Sequence, residues 1–144
     1  TNITNIPQTA TYTVTPTSGS CSGATFTVLV TVNPKPVIPA QTATICSSNA
    51  FTTSPTNAAP TTIVPASTTY TWTVAANANV TGQSNQTTPQ SSISQILTNT
   101  TNIAQTVVYT VTPTSGDAGN CVGATFTITV TVNPKPFVST QTTS

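Results

Sequence analysis

The chain has 144 residues, and only three carry a formal charge: Lys35, Lys135 and Asp117. Threonine alone makes up about a quarter of it, while histidine, methionine, arginine and glutamate are missing. Two lysines cannot form the basic footprint nucleic acid requires, no His, Cys and carboxylate set suits zinc or calcium, and one acid cannot run ordinary acid–base catalysis.

The composition therefore predicts a non-enzymatic chain with no catalytic, cofactor or metal site and no nucleic-acid partner. It is 35% hydrophobic with almost no charge, unlike disordered chains, which combine low hydrophobicity with high net charge. No apolar run reaches the roughly eighteen residues of a membrane-spanning helix, so no membrane insertion is expected. The N-terminus lacks the basic and apolar regions of a signal peptide, and the sequence reads as an excerpt from a longer chain.

In chain order, residues 1–36 hold strand-like threonine, valine and tyrosine runs and end in Asn33-Pro34-Lys35-Pro36. The two prolines fix their own φ and push Asn33 and Lys35 toward extended conformations, which predicts a short, semi-rigid linker. Weaker strand signals follow at 43–46, 50–53 and 61–64. Tyr70, Trp72 and Val74 then alternate with Thr71 and Thr73, and another weak strand falls at 93–97. Val107, Tyr109 and Val111 continue the period of two, as do Phe126, Ile128, Val130 and Val132, separated by Thr127, Thr129 and Thr131. The chain then meets a second linker, Asn133-Pro134-Lys135-Pro136.

Alternation of this kind gives each strand one apolar and one hydroxyl face. About seven short strands per hundred residues predict an all-β, immunoglobulin-like antiparallel sandwich. Its last two strands, near 106–112 and 124–132, would form a hairpin. Tyr70, Trp72, Tyr109 and Phe126 are the candidate core. A sharper alternative makes Trp72 a stacking platform for a glycan.

Self-similarity is the strongest signal in the sequence. Residues 1–19 return as 98–116 with 15 of 19 positions identical, and 21–36 return as 121–136 with 13 of 16 identical. Between the blocks, Ser20 is replaced by Asp117-Ala118-Gly119-Asn120. A length change of this kind belongs at a loop tip. The expected organisation is the last strands of a preceding repeat at 1–36, a complete repeat at 37–136, and the start of a third at 137–144, where Gln141-Thr142 echoes Gln41-Thr42.

Within that frame the expected disulfide joins Cys46 to Cys121, with Cys21 pairing outside the excerpt. Buried free thiols, or a Cys21–Cys46 link between neighbouring repeats, are the alternatives. Disulfides persist in oxidising compartments, which points outside the cytoplasm. An intramolecular isopeptide bond is rejected, because both lysines sit in linkers and the only acid lies at a loop tip. Asn2, Asn79, Asn85 and Asn99 fall in Asn-X-Ser/Thr sequons, a weak glycosylation signal in a sequence this rich in Asn and Thr. Rows of threonine could order water as ice-binding surfaces do, although such rows are commonly just the solvated face of a sheet.

At ICSSNAF (45–51), TTYTWTV (68–74), LTNTTNIAQTVVYTVTPTSG (97–116) and CVGATFTITVTVNPKP (121–136), the sequence resembles the PKD-like repeats of giant secreted surface adhesins of Bacteroidota, including gliding-motility adhesins. The resemblance covers nearly the whole chain. It departs from the common PKD pattern in lacking the acidic Asp-Gly turn after Trp72. It implies an extracellular, cell-surface β-sandwich exported by type IX secretion, serving as a non-catalytic stalk or spacer of an adhesin or filament. The partners expected are neighbouring repeats of the same chain, other copies of the filament, or a surface glycan or protein. The alternatives are a carbohydrate- or protein-binding adhesive module and a laterally assembling fibre or sheath subunit.

Overall fold

The structure, a computed structural model, describes residues 1–116 and 119–138. The two central residues of the second hairpin tip and most of the expected third repeat, 139–144, lie outside the described residues. Every regular element among those described is a strand.

Residues 41–133 form a two-layer sandwich. One layer has five strands: β5 (Gln41–Cys46), β12 (Phe126–Asn133), β11 (Gln105–Thr114), β7 (Thr69–Ala75) and β9 (Gln86–Gln90), in that spatial order. The other has three: β6 (Asn49–Thr53), β10 (Ile93–Asn99) and β8 (Val80–Thr81). All ladders are antiparallel except β5 with β12, which run parallel from Gln41↔Ile128 to Cys46↔Asn133. This is an immunoglobulin-like sandwich.

The period-2 pattern explains the core. Val107, Tyr109 and Val111 of β11 and Ile128, Val130 and Val132 of β12 are all fully buried, facing Phe51, Ile93 and Leu97 of the smaller sheet. Each such side chain contributes about 1.5–3 kcal/mol on leaving water. The sheets are also bridged by an aromatic pair, Phe51 of β6 and Tyr109 of β11, with ring centroids 5.1 Å apart. In antibody domains the strands in these positions are joined by a disulfide that packs against a buried tryptophan. Here a ring contact occupies the position.

Residues 1–32 fold separately, as a hairpin of β1 (Gln8–Val14) and β4 (Phe26–Val32), capped by the two-residue strands β2 (Thr17–Ser18) and β3 (Cys21–Ser22). β1 and β4 pair only with each other. Their apolar face is open to solvent, with Tyr12 57% and Phe26 51% exposed, against 0% and 5% for Tyr109 and Phe126.

The structure corrects the strand assignment in two places. The segment 61–64 is not a strand: it makes only isolated bridges, Val37↔Ile63 and Ala58↔Thr62. Strands β8 and β9 were not expected. The first is two residues long and the second carries Pro89, which a strand tolerates only at an edge such as the one β9 occupies.

Candidate functional site

The chain comes into the sandwich at one pole and leaves at the other, and both poles are built from short polar or proline-rich motifs. At the proximal pole, where β5 begins, Pro34 and Pro36 are fully buried. Val37 exchanges two backbone hydrogen bonds with Ile63 (3.0 and 2.8 Å), and Ile38 joins the core. The hairpin tip between β11 and β12 closes over this segment. A methyl group on Gly123 would lie 2.5 Å from the Pro36 carbonyl oxygen and 2.8 Å from Pro113 Cγ. Only glycine permits that approach, and it lets the Gly123 amide reach the Pro113 carbonyl at 2.8 Å. Gly119, at φ +84°, lies directly against the side chain of Asn33. The first linker is therefore packed against the sandwich that follows it.

At the distal pole, Asn99 ends β10 in a buried position. Its Nδ2 donates to the carbonyls of Ile103 (2.7 Å) and Val132 (2.9 Å), and its Oδ1 accepts from the Thr101 amide and hydroxyl, both at 2.8 Å. The Asn99 amide donates to Ser47 Oγ at 3.0 Å, and the Ser47 amide donates to the Asn133 carbonyl at 2.8 Å. This clamp ties the end of β12 in one sheet to the end of β10 in the other. The same geometry recurs at the N-terminus: Asn2 Nδ2 donates to Ile6 and Val32 at 2.7 and 2.9 Å, while Thr4 donates to Asn2 Oδ1. Among the described residues no buried side-chain polar atom lacks a partner.

The clamp decides the fate of one sequon. Both Nδ2 hydrogens of Asn99 are spent on backbone carbonyls, one of them buried, so a glycan there would break the pole apart. Asn85 donates no such bond; its Oδ1 accepts from the Val74 amide at 2.8 Å.

The cysteines require a correction. Cys46 stands opposite Asn133 at the distal pole, whereas Cys121 sits at the proximal pole, where its carbonyl accepts from the Ser115 amide at 3.1 Å. The length of β12, about 26 Å at 3.3 Å per residue, separates them, far beyond disulfide reach. Cys46 and Cys121 of one sandwich are not brought together. Cys21, at the tip of the first hairpin, and Cys46 are both free thiols in this structure, so the Cys21–Cys46 link is not formed either. Cys46 and Cys21 are exposed, which also removes the buried-thiol reading for those two.

Trp72 is buried in β7, its Nε1 donating to the Ser84 carbonyl at 3.1 Å. Tyr70 packs edge-on to Phe126 at 6.4 Å. Tyr109 reaches Gln95 Oε1 at 2.8 Å, and burial pushes its phenol well above the usual tyrosine range; burial also raises that of Tyr70. Of the second linker, Asn133 and Pro134 are half-buried, while Lys135 and Pro136 are exposed. Among the described residues no group of three or more metal-binding side chains is assembled, and no helix is long and apolar enough to cross a membrane. Sequence reasoning missed Ser47, Asn99 and Gly123 as structural positions; for Asn99 the twofold recurrence of Thr-Asn-X-Thr-Asn-Ile carried the signal.

Two sheets closed over an aliphatic and aromatic core, with a parallel pairing of first and last strands, define an immunoglobulin-like module. Its polar motifs serve the poles and form no reactive cleft among the described residues. The sequence pattern of the PKD-like domain family matches residues 1–36 and 43–136, and the chain belongs to that family. No curated protein matches the chain. PKD-like modules are generally non-catalytic and typically extracellular.

Proposed function

We propose that the chain is a stretch of tandem PKD-like units acting as a non-catalytic stalk in a long extracellular surface protein. Residues 1–36 would be the end of one unit, 37–136 a complete unit and 137–144 the start of the next. The observation that carries this reading is the opposition of the poles. The chain arrives at Pro36 beside Gly123 and departs after Asn133 at the other end, so each added unit extends the array. At 3.3 Å per residue over β12 and slightly less over the tip and linker, each unit would add about 35 Å.

The exposed apolar face of the first hairpin supports the same reading. Its counterparts in β11 and β12 are buried by strands that, for the first hairpin, would lie upstream of residue 1. A giant adhesin of the kind found in Bacteroidota, exported to the cell surface and presenting a binding region elsewhere, is the setting the sequence resemblance favours. A binding role centred on Trp72 is not favoured, because that ring lies in the core with its polar edge bonded.

Small-angle scattering of chains with two, three and four units tests the proposal. The maximum dimension should rise by a constant increment per unit. It should also change little with ionic strength, because units with almost no charge have little to screen. A compact particle whose dimension stays flat as units are added would overturn it.

A further inference from the structure

The joint between the first hairpin and the sandwich shows what surrounds the cysteines in a tandem array. Asn33 directly follows β4 and Asn133 ends β12, in the same sequence context. Asn133 is paired in the parallel ladder with Cys46. In β12 the residues Phe126 to Val132 alternate inward, so Asn133 projects from the outer face. In β5, Ala43 and Ile45 pack on the core, so Cys46 projects from that same outer face. Neighbouring strands lie about 4.8 Å apart.

At the joint, the outward side chain of Asn33 rests against Gly119 of the following sandwich. Cys121 Sγ lies 4.0 Å from the Gly119 carbonyl oxygen. A thiol held beside Asn33, as Cys46 is held beside Asn133, would therefore stand on the order of 10 Å from Cys121.

The free end of the chain shows the other half of such a joint. Cys46 is exposed, and Phe137 and Val138 are 90% and 80% exposed, while their counterparts Val37 and Ile38 are 45% and 7% exposed against the sandwich they precede. The thiol and these two apolar side chains are thus exposed, whereas Ile38, the counterpart of Val138, is covered by the sandwich it precedes.

We propose that each joint carries a disulfide between Cys46 of one unit and the counterpart of Cys121 in the next, so that the array is stapled between units instead of within them. This rests on the tandem-unit reading above. Closing the gap to the Cα separation of about 5.5–6 Å that a disulfide adopts requires a shift of a few ångströms at the joint. The oxidant is a low-molecular-weight disulfide. One cysteine thiolate attacks it, forming a mixed disulfide and expelling one reduced thiol. The second cysteine thiolate then displaces the other half. Two cysteine thiols are oxidised, one reagent disulfide is reduced, and the two protons end on the two released thiols. The staple would fix the angle between successive units and make the stiffness of the stalk dependent on redox conditions.

The test is the chain extended by a second copy of residues 37–136 placed directly after Pro136. In one version only Cys46 of the first sandwich and Cys121 of the second are kept, the other cysteines being changed to serine. In the control only Cys121 of the first and Cys46 of the second remain. Both are treated with oxidised glutathione, and thiol loss, non-reducing electrophoresis and peptide mass mapping are read together with protease resistance of each sandwich. The expected result is intramolecular loss of both thiols in the first version and retention of both in the control. If both sandwiches resist protease but the joint pair stays reduced, or both versions oxidise alike, the staple is overturned and the tandem reading survives. If the second copy is digested as an unfolded chain, the tandem reading falls and the staple with it.

Discussion

The hairpins β1–β4 and β11–β12 are nearly the same peptide in two surroundings. Both pair in one register: Gln8↔Val32 through Val14↔Phe26 in the first, Gln105↔Val132 through Val111↔Phe126 in the second. Each carries the same asparagine turn at its open end. What differs is the layer above. β11 is flanked by β7 and β12 by β5, and their inner face is covered by β6 and β10; the first hairpin has none of these. Alternation and turn chemistry therefore specify the hairpin and its register locally, whereas burial depends on strands tens of residues away. A lone two-stranded ribbon is marginal in water, so nearly all the stability of the described chain should reside in residues 41–133.

Paired substitutions probe that contrast. Tyr109→Ala should cost about 3–5 kcal/mol, the range for emptying a large aromatic site, while Tyr12→Ala should stay within about 0.5 kcal/mol, as at ordinary exposed positions. Denaturant unfolding followed by tryptophan fluorescence, which reports on buried Trp72, measures both. Equal costs would mean that the first hairpin shares the stability of the core.

Asn99→Ala should cost about 1–3 kcal/mol, because the buried Val132 carbonyl, the Ile103 carbonyl and a turn lose their partner. Asn2→Ala should change the same midpoint by less than a quarter of that. A large Asn2 effect would make the first hairpin part of the cooperative unit.

The smallest effect concerns pH. The raised phenols of Tyr70 and Tyr109 favour the folded state while they are protonated. Their contribution is complete below the unfolded tyrosine value near 10 and is lost as pH climbs past it. Thermal melts should therefore vary little between about pH 5 and 9, then decline. Tyr109→Phe should lower the plateau by about 1 kcal/mol through loss of the Gln95 bond and soften the alkaline decline.

The strands and their sandwich were readable because the period of two persists over Val107–Val111 and Phe126–Val132, where each residue's face follows from its position. β8 and β9 were not readable: Val80–Thr81 is too short to show a period, and Gln86–Gln90 has no apolar face. The cysteine pairing failed for a topological reason. With antiparallel neighbours β5 and β12, Cys46 would lie beside the hairpin tip and near Cys121; the parallel pairing sends it to the opposite pole. Strand direction is not written in local alternation. The Asn99 clamp was hidden because a sequon and an asparagine turn share the same letters.

The parallel pairing has one last consequence. Tension along a stalk would pull β5 from its beginning at Gln41 and β12 from its end at Asn133, in opposite directions along neighbouring strands. The hydrogen bonds spanning Gln41↔Ile128 to Cys46↔Asn133 would then be strained in shear, all at once, instead of being unzipped one by one. The arrangement that spoils the disulfide within a unit is the one that would let the unit resist being drawn apart.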